Sequence, residues 1–178
     1  MNHPADQLSP DLPAHAIDTA RKHVADILAC CFEHTPQHAA LVVHDNRTGL
    51  SRALTEAYRR NLPGAAFVDF DSTTQDDVLA AFKRMGPKDL VVLVQSTNFR
   101  MDAFRIRVEL FKLGLKVIEH VHLSRMPGTQ GEQYIDALAY DPAYFRGVGK
   151  ALKARIDTAP HGVVEGGGER LVFGSPFE

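Results

Sequence analysis

The stretch Leu90-Val91-Val92-Leu93-Val94-Gln95-Ser96-Thr97-Asn98 decides the fold. Its five leading apolar residues are too few for a typical helix and rich in β-branched Val, as suits a strand covered on both faces of a parallel sheet. It is the most apolar run in the chain and so the expected central strand. Three other runs share its character: Ala39–His44, Ala65–Phe70 and Lys116–His122. The first three runs in chain order each lead through small polar residues into a helical pattern. The last run alternates, with Ile118, His120 and His122 on one face and Val117, Glu119 and Val121 on the other, which suits an edge strand with one partly wetted face.

Between the runs the apolar period changes from two to 3.6. Ile17, Ala20, Val24, Ile27 and Cys31 form one stripe of a first amphipathic helix, so Cys31 is expected to be buried. Its neighbour Cys30 is adjacent in sequence, and the two cannot make an ordinary structural bridge with each other. Leu50, Ala53, Leu54, Ala57 and Tyr58 mark a second helix ending near Asn61, and Val78, Leu79, Phe82 and Met85 a third that Gly86-Pro87 would close with a left-handed cap. Phe104, Val108 and Phe111 align on a fourth, with Arg105 and Glu109 spaced for an ion pair, Gly114 as its C′ residue and Arg100, Arg105 and Arg107 as a cationic cluster.

Beyond Gly128 come a short helix carrying Tyr134, Ile135 and Leu138 and a longer one opened by Asp141-Pro142, with Phe145, Val148, Leu152 and Ile156 aligned. Val163–Glu165 and Arg170–Phe173 flank Gly166-Gly167-Gly168 and read as a β-hairpin, a unit that is marginal by itself and must dock on something. Right-handed crossovers then give an α/β fold: a three-layer, Rossmann-like sandwich on a mostly parallel sheet of about four strands, with C-terminal helices and a hairpin. The expected strand order is 2-1-3-4. The expected organisation is a leader and amphipathic helix over residues 1–36, an α/β domain over 37–160 and the hairpin over 161–178, the last a candidate start of a second domain.

Composition narrows the function classes. Twenty Lys and Arg against 22 Asp and Glu give a formal charge of −2 without long like-charged blocks, which argues against nucleic acid as a partner. No run reaches the roughly 20 apolar residues of a membrane span, and the polar opening lacks signal-peptide character, so no membrane association and a cytoplasmic location are expected. Neither G-x-G-x-x-G nor G-x-x-x-x-G-K-[ST] occurs, and Ser96 lacks the flanking glycines of a hydrolase nucleophile elbow.

In open α/β sheets ligands bind beyond the carboxyl ends of strands, where the order reverses. That places His44, Asp45, Asn46 and Thr48 after strand one and Ser96, Thr97 and Asn98 after strand three at one crevice, as candidate contacts for a small anionic ligand. The same residue types cap helices and form turns, and both readings stand at this point. His120 and His122 have the spacing of a two-histidine metal pair on one strand face, should a third ligand approach.

Several segments in order carry a family likeness: Asp45-Asn46-Arg47-Thr48, Ser96-Thr97-Asn98, Met126-Pro127-Gly128-Thr129, and the hairpin Val163–Phe173 with Gly168-Glu169-Arg170-Leu171 at its turn. The succession resembles the amino-terminal domain of the M29 (aminopeptidase T-like, leucyl aminopeptidase-like) metallopeptidases, with a D-x-x-T-like turn, a polar segment, an M-P-G-x stretch and a Gly-Thr-Asp-Leu turn. Glu169-Arg170 replaces Thr-Asp at the last. The resemblance implies a non-catalytic domain that helps form a substrate cleft or subunit interface. In that family Glu, His and Asp of a carboxy-terminal domain hold paired metal ions, and none of those ligands maps onto a residue here. The divalent metal is therefore expected in a carboxy-terminal domain missing from this chain. Expected partners are that domain or a second copy of the chain, with a small molecule or peptide as ligand.

Overall fold

The computed structural model describes residues 10–99 and 110–174. The part of the expected fourth helix that carries Arg100, Arg105 and Arg107 and the expected Arg105–Glu109 pair falls outside the described residues; residues 110–112 are helical, and Gly114 follows with φ 71°, the left-handed conformation expected of its C′ position.

Four parallel strands form the sheet in the order β2-β1-β3-β4: β1 Ala40–His44, β2 Ala66–Asp69, β3 Leu90–Val94 and β4 Lys116–His120. This is the expected α/β class and strand order. Val92 of β3 pairs with Val42 of β1 and Ile118 of β4, and all five β3 residues are buried, as a run apolar on both faces requires. Alternation sends the two sets of side chains into separate cores. Ala40, Val42, Leu90, Val92, Val94 and Ile118 pack with one group of helices, while Leu41, Val43, Val91 and Leu93 pack with Val78, Phe82, Phe99 and Leu110.

On the first face lie α1 (Ala14–Asp26), α2 (Gly49–Asn61) and α4 (Thr129–Asp136), and α3 (Gln75–Lys83) covers the second. α2 buries all five predicted stripe residues. The first stripe needs correction, because the buried positions of this helical stretch are Ala16, Ala20, Val24 and Leu28, and Cys31 is exposed. A π-helical turn over Ile27–Cys31 is the cause: Phe32 N–H donates to the Ile27 carbonyl, five residues back. The inserted residue rotates the end of the helix by about 100° and carries Cys31 off the stripe.

Gly86 does not supply a left-handed cap. α3 ends on Arg84 in ordinary helical conformation, the Gly86 amide donates to Asp89 Oδ2, and the left-handed residue of this connection is Lys88, φ 73°.

The compact units are Met1–Ala139 and Tyr140–Glu178, so α1 belongs with the sheet and the longest helix with the hairpin. In the second unit α5 (Pro142–Thr158) begins at Asp141, whose carboxylate accepts the Tyr144 amide at 3.0 Å, with Pro142 in the first turn. The hairpin pairs β5 (His161–Gly166) with β6 (Glu169–Gly174) around Gly167-Gly168. Both glycines have positive φ, 59° and 84°, as a two-residue type I′ turn demands. No described helix is long and apolar enough to cross a membrane.

Candidate functional site

The order reversal between β1 and β3 brings their carboxyl ends together, and a buried polar latch closes the gap. Asp45 is 1 % exposed and accepts three hydrogen bonds, from Ser96 N–H (2.7 Å), Ser96 Oγ (2.6 Å) and Arg47 N–H (3.2 Å). With Ser96 Oγ donating to Asp45, its lone pair is left to the Thr48 hydroxyl 3.1 Å away. Thr48 Oγ1 in turn accepts Ser51 N–H at 3.0 Å while Ser51 Oγ accepts Thr48 N–H at 3.2 Å, a reciprocal capping box at the start of α2.

Other predicted contacts are also engaged. Asn46 donates from Nδ2 to Asp69 Oδ2 at 2.9 Å, tying the β1 loop to β2. His44 is 6 % exposed beside Phe67, with its Nδ1 unpartnered among the described residues. Burial is the main cause lowering its pKa, against a smaller opposing effect of Asp69, so the ring is held neutral. Of the seven predicted contacts, Thr97 and Asn98 are the exposed ones, standing clear of the latch.

Those two line a cavity of about 440 Å³ at the sheet's carboxyl edge. β3 and β4 leave the sheet in step, because Leu123 N–H donates to Gln95 O and Ser124 N–H to Ser96 O, both at 3.1 Å. His122, Ser124 and Arg125 therefore line the cavity with Thr97 and Asn98. Arg47 reaches it from the β1 loop. Its guanidinium grips Asp71, Nε to Oδ2 at 2.9 Å with a second contact from Nη2 to Oδ1, and Nη1 lies 3.4 Å from Thr97 Oγ1. Phe70 and Phe99 supply an apolar wall, their rings stacked with centroids 4.1 Å apart. Gln95 sets Phe99 in place by accepting its amide proton at 2.8 Å and donating to Glu119 at 3.2 Å.

A larger cavity of about 570 Å³ lies near the amino ends of β1 and β2, lined by Leu28, Ala29, Pro36 and Pro63 with His34 and His38. It lacks the converging cations of the carboxyl-edge crevice and is remote from the switch point, where open α/β sheets place ligands.

The histidine pair is not formed, because β4 stops at His120. His122 follows in left-handed conformation, φ 58°, and lines the crevice, whereas His120 is 3 % exposed inside the first core. Both His120 nitrogens are occupied, Nε2 by Tyr58 OH (2.8 Å) and Nδ1 by Tyr134 OH (2.7 Å). A neutral ring donates one of these bonds and accepts the other, leaving no lone pair for a metal. Burial lowers the His120 pKa to about 4 and pushes the Tyr134 hydroxyl up to about 12. Among the described residues no three His, Cys, Asp or Glu side chains converge as a metal site.

Sequence reasoning passes over Arg47, Phe70, Phe99, Ser124 and Arg125 as contacts. Arg47 and Phe70 are in plain view, one inside the β1 loop and the other ending a strand run, while Ser124 and Arg125 enter because β4 ends two residues before the apolar alternation does. Comparison with protein-family models, curated proteins and solved structures finds no match for the chain.

Proposed function

We propose that the unit ending at Ala139 is a non-catalytic α/β domain that forms one wall of a ligand cleft and receives a small anionic ligand at the crevice. One observation carries this reading: Arg47, Arg125, His122 and the Phe70–Phe99 pair converge on one cavity at the switch point. Beside it Asp45, Ser96 and Thr48 are bound to one another, while His122 and Ser124 line the cavity itself. In an aminopeptidase-like protein such a wall would orient substrate while another domain supplies the metal. A thermal-shift series with carboxylates and phosphates tests it: stabilisation by an anion should be lost in Arg125→Ala. Equal stabilisation of wild type and variant contradicts the reading, as does peptidase activity recovered from this chain alone.

A second role, at a domain or subunit interface, is favoured by the unit from Tyr140 onward. Phe145, Val148, Leu152 and Ile156 on α5 are 41–56 % exposed, as are Val164 and Val172 of the hairpin, an apolar display uncommon on a monomer's surface.

A further inference from the structure

We propose that the crevice selects a monocarboxylate with an apolar, preferably aromatic, body, and that Arg125 receives the carboxylate. This rests on reading the crevice as an anion site and adds the class of anion. Charge is the first argument. Arg47 gives two contacts to Asp71, so that pair is formally neutral. Arg125 is exposed and, among the described residues, its side chain makes no hydrogen bond or ion pair. Among the described residues Arg125 is thus the crevice guanidinium left to meet a ligand, and with Asp45 and Asp69 also acting on Arg47 the setting favours a single negative charge over a phosphate dianion.

The helix end beside the crevice cannot make up the difference. At the start of α2 the Ser51 amide is already capped by Thr48, and a Cβ at Gly49 would stand 2.1 Å from the Pro10 carbonyl oxygen, so chain covers the place where an anion would approach. The wall is the second argument. Phe70, half-buried and stacked on the core residue Phe99, gives the cavity an apolar wall, which rewards an aromatic or branched body over a fully hydrated ion. Thr97, Asn98 and Ser124 remain to meet a second polar group on the ligand.

Calorimetric titration of the 178-residue chain at pH 7.5 and low salt with sodium phenylacetate, acetate and inorganic phosphate tests this. Phenylacetate should bind about tenfold more tightly than either other anion, and Arg125→Gln should weaken it about tenfold with Arg125→Lys between. Asp71→Asn gives a sharper readout, because releasing the Arg47 charge should strengthen phosphate binding several-fold and narrow the preference. Phosphate binding more tightly than phenylacetate to the wild type overturns the carboxylate assignment while leaving an anion crevice. An unchanged phenylacetate affinity in Arg125→Gln overturns the role of Arg125. Absence of heat with all three anions overturns both this inference and the crevice reading.

Discussion

Asp45 ties the ends of β1 and β3 together. Its carboxylate satisfies the Ser96 amide and hydroxyl in a buried setting, so Asp45→Ala strands two donors and should cost about 2 to 4 kcal/mol in urea unfolding, with Asp45→Asn costing less. A destabilisation below about 0.5 kcal/mol would show the latch to be dispensable. His120 contributes through its protonation. Its pKa is lowered by burial to about 4 from the ordinary 6.5, so the unfolded chain takes up the proton first. The stability it supplies is full above pH 6.5 and is lost as pH falls through that window towards 4, by about 3 kcal/mol at most. Urea midpoints at pH 7 and pH 4.5 should therefore diverge more in the wild type than in His120→Gln, and equal divergence would remove His120 as the cause. At this scale the sequence locates the loops but not the partners. Asp45 and Ser96 read from sequence as caps or turn formers ahead of ligand contacts, and their 2.6 Å bond to each other is a contact across 51 positions that no local pattern encodes.

The elements are legible where period and punctuation agree. α2 carries five stripe residues, Thr48 at its start and Pro63-Gly64 beyond its end, and the Gly-rich hairpin turn likewise matches its type I′ geometry. The last turn of α1 is hidden because a π-helical insertion leaves no mark in composition; the shift of Cys31 to the surface is its visible effect. β4 reads two residues too long because alternation persists through Val121 and His122 after the ladder has ended. Gly49 tests how tightly the pieces fit. A methyl there meets the Pro10 carbonyl, so Gly49→Ala should cost about 1 to 3 kcal/mol by displacing the chain before α1, read by chemical denaturation. A neutral outcome would mean that the Pro10 segment yields freely.

At the scale of the molecule, the strand order is accessible because continuous apolar runs demand a sheet covered on both faces and right-handed crossovers leave few ways to build one. The surface of the second unit is only half legible. The stripe of α5 is plain, yet its exposure emerges only in three dimensions, where no α5 residue is buried. If that display is an interface, Leu152→Glu with Leu171→Glu should reduce self-association in sedimentation velocity and lower binding of a hydrophobic dye; unchanged behaviour would leave those residues without a docking role. The crevice is the central claim, and backbone amide NMR of the chain titrated with phenylacetate tests it most directly. The account predicts saturable shifts centred on Thr97, Asn98, Ser124 and Arg125 that vanish in Arg125→Gln. Shifts centred instead on the cavity around Leu28, Pro36 and Pro63, or no saturable shift at all, would contradict it.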